Sequence, residues 1–211
     1  MNLLLERSPR LEFSTDLRAI LAALGGRARE YEWLVTDLEL LYLDPLGALQ
    51  HPLPLPVLLS AHADEVMRLS GSELERIAGA YRIQVLWGVF SGFRPDAVPV
   101  VSPLDPYPFA NGNPDLWKPE VTLQHPTAQV ELVCWDSSAT LFLSRDADLA
   151  RRFREQFPDA VDPQRLQRAP ALGAARERLT PRAGARQFRE HEVAHLVGGE
   201  AGVHAEVGQA A

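Results

Sequence analysis

Residues 128–144, AQVELVCWDSSATLFLS, decide the fold. From Leu132 onward Ala128 to Trp135 is apolar on both alternations, the pattern of a strand covered on both faces. Asp136-Ser137-Ser138 follows, short polar side chains that bond their own backbone and turn the chain. Ala139 to Ser144 then returns as ATLFLS, and the pair reads as a hairpin inside a sheet. Downstream, Ser144 or Asp146 can cap a helix that carries Leu149, Phe153 and Phe157 on one face and ends at Pro158.

Upstream, Arg82 to Phe93, RIQVLWGVFSGF, is rich in β-branched and aromatic residues and predicts another strand, with Gly88 and Gly92 marking a bulge or a close backbone approach. Ser70 and Glu73 stand three apart, as a capping box requires. The helix they start directs Leu74, Ile77 and Ala78 to the core and ends near Tyr81. In residues 30–44, EYEWLVTDLELLYLD, the apolar alternation changes phase at Thr36-Asp37, which predicts two strands or one bent strand. Ser14 or Thr15 can cap a first helix carrying Leu17, Ile20, Leu21 and Leu24, stopped by Gly25-Gly26. Prolines 45, 52, 54 and 56 exclude a long regular element between the bent strand and the second helix. The expected order is α-β-β-α-β, a long loop, then β-β-α. This is an α+β domain over residues 1–163, a mainly antiparallel sheet with helices on one face. Residues 164–211, rich in Arg, Ala and Gly, read as a tail that is largely disordered or partly helical.

The 211 residues carry a formal charge of -7. Residues 1–163 hold 14 basic and 23 acidic side chains, a balance of -9, and residues 164–211 hold 7 and 5, a balance of +2. An acidic body disfavours nucleic acid, whose binding is dominated by phosphate neutralisation. In the tail, Arg165, Arg168, Arg176, Arg178, Arg182, Arg186 and Arg189 form a basic segment with Phe188 as its one interleaved aromatic, which reads as a solvated face. No run reaches the roughly 18 apolar residues of a membrane span. Met1-Asn2-Leu3-Leu4-Leu5 is too short an apolar stretch for a secretory core, so no export is expected. A single cysteine, Cys134, suits a reducing compartment and a cytoplasmic protein.

Three groups of residues carry candidate chemistry. Residues 94–127 form a 34-residue stretch with eight prolines, and loops of that length are usually functional. Its aromatics Tyr107, Phe109 and Trp117 are the expected partner-binding residues, because amphipathic rings on a proline-stiffened loop suit an interface. Trp33, Trp87 and Trp135 fall on strands and are expected in the core. Cys134 with His125 and Asp136 offers a thiol nucleophile, but a cysteine in the most apolar strand is expected to pack as a small hydrophobe. The tail contains His191-Glu192-Val193-Ala194-His195. On a helix, histidines four apart share a face and could hold zinc while Glu192 activates its water. His204 is the next histidine, and Glu200 and Glu206 are further possible ligands.

HEVAH with Leu196-Val197-Gly198 behind it resembles the zincin metallopeptidases. That resemblance implies His191 and His195 as zinc ligands and Glu192 as general base; Ala201 stands where the metzincin pattern has its third histidine. The body is similar in layout to uncharacterised small bacterial cytoplasmic proteins of immunity-protein type. The wording that carries this likeness is WGVFSGF at 87–93, Asp115-Leu116-Trp117, and ELVCWDSSATLFLSRD at 131–146. It implies a non-enzymatic module that binds a protein partner and needs no cofactor. The zinc-dependent hydrolase is the alternative.

Overall fold

The strand pair at 128–144 forms as its sequence directs. In the computed structural model, which describes residues 1–45, 66–118 and 120–163, strands β5 (Val130–Trp135) and β6 (Ala139–Ser144) pair antiparallel, from Val130 opposite Ser144 to Trp135 opposite Ala139. Asp136 and Ser137 turn the chain with φ of 46° and 55°, the left-handed backbone that short polar residues tolerate. Every residue of both strands is buried.

Around this pair stand β1 (Asn2–Leu5), β2 (Glu32–Pro45), β3 (Met67–Ser70) and β4 (Tyr81–Phe93). The six strands make one antiparallel sheet in the order β1-β6-β5-β4-β2-β3. The phase change at Thr36-Asp37 is a bulge in one bent strand: Thr36 faces Val89, and the next pair is Glu39 with Trp87. Asp37 sits at φ 51°, and the extra residue keeps Trp33, Val35, Leu38 and Leu40 on the same face. Two strands were not expected from the sequence. β1 and β3 are four residues each, too short to show a period of two.

Three helices cover one face: α1 (Leu17–Ala22), α2 (Gly71–Ala80) and α3 (Ala147–Gln156). The N-cap of α1 is Asp16, which accepts from the Ala19 amide at 3.1 Å. Neither of the expected capping residues serves there; Ser14 donates instead to the Glu6 carbonyl, and Thr15 is buried. The Ser70–Glu73 capping box on α2 is complete. Leu17, Ile20, Ile77, Leu149 and Phe153 bury against Trp33, Phe90, Leu132 and Phe142. Phe142 and Phe153 stack at 4.5 Å, and each such ring contributes about 1.5–3 kcal/mol through burial.

The long proline-rich loop covers the other face. Leu34 of β2 and Phe93 of β4 form a second apolar cluster with Leu104 and Ala128, and Tyr107 and Leu123 pack against it. The loop is therefore half of a two-sided core. The Leu4 N–H and carbonyl exchange hydrogen bonds with Val161, so the chain beyond α3 returns to pair with β1.

Candidate functional site

The β2 bulge and the middle of β5 hold the loop in place. At the bulge, the Asp37 carboxylate accepts from the amides of Ala110 and Asn111 at 2.8 and 2.7 Å. The Asp37 amide donates to the Tyr107 hydroxyl at 3.0 Å. A left-handed aspartate on a strand thus caps a turn of a loop more than 70 positions away. In β5, Glu131 is wholly buried on the loop side of the sheet. Its carboxylate accepts from the amides of Gln124 at 2.8 Å and His125 at 2.9 Å, and from the Ser91 hydroxyl at 3.4 Å. Burial pushes this carboxyl up to about 7, against the three hydrogen bonds that favour its charge.

Between these two anchors, Gln124 and Asn113 fix the loop tip. The Gln124 side-chain oxygen accepts from the Phe109 amide at 3.0 Å and from the Asn113 side-chain amide at 2.9 Å. Asn113 also donates to the Phe109 carbonyl at 2.9 Å and caps a short 3-10 turn, Pro114–Trp117, by accepting from the Asp115 amide. Both main-chain polar groups of Phe109 are engaged, yet the residue remains 40 % exposed.

The three expected partner-binding aromatics divide in role. Tyr107 is half-buried and braces the loop through its hydroxyl. Trp117 is half-buried with its ring edge-on to Trp135 at 4.9 Å. Phe109 alone of the three faces solvent. Trp33 and Trp135 are core residues as expected. Trp87 is only half-buried, its ring also edge-on to Trp135 at 5.0 Å.

No protein family, characterised protein or solved structure matches this chain.

Cys134, His125 and Asp136 do not assemble. Cys134 is wholly buried in the helix-side core, and desolvation pushes its thiol up to about 12, far from the thiolate that a nucleophile needs. His125 packs edge-on against Phe93 at 5.1 Å on the opposite face, where burial holds its imidazole below the usual range. Among the described residues, no three His, Cys, Asp or Glu side chains are grouped to hold a metal ion. The HEVAH residues His191, Glu192 and His195, and His204 with them, lie outside the described residues. Among the described residues no helix is long and apolar enough to cross a membrane.

Asp37, Gln124 and Glu131 were missed in the sequence as parts of the site. The available signals were an aspartate at a phase change and an acid inside an otherwise apolar strand.

Proposed function

We propose that this chain is a non-enzymatic protein-binding module of the inhibitor or immunity kind, working in the cytoplasm on a protein partner through loop 94–127. The observation that carries the reading is Phe109: its amide and carbonyl are both fixed by Gln124 and Asn113 while its ring stands in solvent. A preformed apolar anchor loses little entropy on docking, and buried aromatic anchors dominate interface energies. Tyr107 and Trp117 belong to the same surface as the rings that set the tip in place. The acidic body favours a cationic partner, speeding encounter through steering. It disfavours nucleic acid for the same reason.

The test is affinity capture from the cells that make this protein, comparing wild type with Phe109→Ala. Wild type should retain one protein near 1:1 stoichiometry, and the variant should lose it while keeping its thermal stability. Recovery of the same proteins at the same level by both forms would refute the loop as the interface.

A second reading rests on the spacing His191-Glu192-His195: a zinc-dependent hydrolase with His204 as a further donor. The full chain would then purify with near-stoichiometric zinc that is lost in His191→Ala. Metal analysis that finds no zinc ends that reading.

A further inference from the structure

An open cleft of about 430 Å³ lies away from the loop tip, where β2 begins, β4 ends and β5 begins. Its size matches sites for small molecules. Three arginines line it, and they differ in what already neutralises them. Arg27 is paired with both Glu30 and Asp146 at 2.9 Å, so its charge is more than neutralised and it is not available to a ligand. Arg145 is held by neutral groups: its Nε donates to the Ala128 carbonyl and its Nη2 to the Pro126 carbonyl, each at 2.9 Å, and it forms no ion pair among the described residues. Its guanidinium is positioned but not neutralised. Arg94 is exposed and its side chain has no hydrogen bond or ion pair among the described residues.

Tyr31 supplies a further donor. Its side chain packs edge-on against Trp33 and the residue is only 6 % exposed, yet it lines the cleft. The Tyr31 hydroxyl has no hydrogen-bond partner among the described residues. A buried phenol lining a cleft together with two guanidinium groups that form no ion pair among the described residues is suited to an oxyanion, since arginine forks match phosphate and carboxylate geometry. The acid left over in the cleft is Asp96, exposed and without an ion pair among the described residues.

We infer that this cleft binds a small molecule through a phosphate or carboxylate group, held by Arg94, Arg145 and the Tyr31 hydroxyl. The site is distinct from the Phe109 tip: Arg94, Pro95 and Asp96 stand at the start of the same loop, but none of the cleft residues bonds to Phe109.

Isothermal titration of the full chain at fixed ionic strength, with pyrophosphate in one arm and citrate in the other, separates the two oxyanion chemistries. At least one should bind saturably. Arg94→Ala should weaken that binding about tenfold and Tyr31→Phe should weaken it by a smaller factor. Asp96→Asn should tighten it by removing repulsion. Arg7→Ala, an exposed arginine outside the cleft, should change nothing. Neither Arg94 nor the Tyr31 hydroxyl makes a bond that holds the fold, so both variants remain folded. Absence of saturable binding to both probes overturns the inference, and so does an equal loss in Arg94→Ala and Arg7→Ala.

Discussion

Asp37 and Tyr107 are joined by a 3.0 Å hydrogen bond in which the strand amide donates to the phenol oxygen, and the same aspartate caps the turn at Ala110-Asn111. Replacing Asp37 with Ala removes the carboxylate oxygen that accepts both charge-assisted hydrogen bonds and places a β-carbon residue with no local polar group at φ 51°. The expected loss is about 2–4 kcal/mol in denaturant unfolding. Asp37→Asn tolerates the backbone and keeps a neutral acceptor oxygen in the same place, so it should lose less than half as much. Equal losses would show that the carboxylate does not organise the loop.

Glu131 gives a pH dependence of definite sign. Its native value, about 7, lies above the ordinary 4.5. Between those values the native state holds a proton that the unfolded chain has released, so this group's contribution is fully present below pH 4.5 and lost as pH rises through 7. The span corresponds to a change on the order of 3 kcal/mol. Buried His125, held below its ordinary 6.5, acts in the opposite direction just under that pH. Glu131→Gln should flatten the fall in stability between pH 5 and pH 8. An unchanged slope in the variant, followed by urea unfolding across that range, would remove Glu131 as its source.

Two glycines of α2 should respond with opposite signs. A Cβ at Gly71 would lie 1.9 Å from the Ala28 carbonyl oxygen, a backbone atom that cannot yield. Gly71→Ala should therefore cost about 3 kcal/mol or more. A Cβ at Gly79 meets nothing within 4 Å, and Gly79→Ala should stabilise by about 0.5–1 kcal/mol through helix propensity. Thermal melts of the two variants check the pair.

Trp117 and Phe109 should separate stability from binding. Trp117→Ala strips an edge-to-face contact from Trp135, and its expected cost is about 2 kcal/mol. Phe109→Ala removes a ring already 40 % exposed, so its effect on the melting temperature should be within error. A large destabilisation by Phe109→Ala would reassign that ring from anchor to core.

The hairpin was legible because Leu132, Val133 and Cys134 leave no polar alternation while Asp136 and Ser137 accept left-handed backbone. The bend in β2 was legible for a related reason: Trp33 and Val35 lie on odd positions and Leu38 and Leu40 on even ones, and one inserted residue at Asp37 reconciles them. β1 carries Leu3-Leu4-Leu5 with no alternation at all, because both its faces are buried. β3 is defined only by its four partners in β2. The Asp37 anchor was hidden because its bonds join residues far apart in the chain, as Asp37 does with Asn111, and local sequence carries no register between them. The Arg94–Arg145–Tyr31 cleft is a product of tertiary folding alone.

Pairing of β1 with β6 also sets a timetable for the nascent chain. The Met1 amino group donates to the carbonyl of Ser144, 143 positions onward. A ribosome adding about 5–20 residues each second needs roughly 7–30 s to cover that distance. Through that interval Leu3, Leu4 and Leu5 have no neighbouring strand to join, although β1 is made before every other strand of the sheet. The edge strand β1 is thus the oldest segment of the finished sheet, and it waits for the completion of β6 before it is housed.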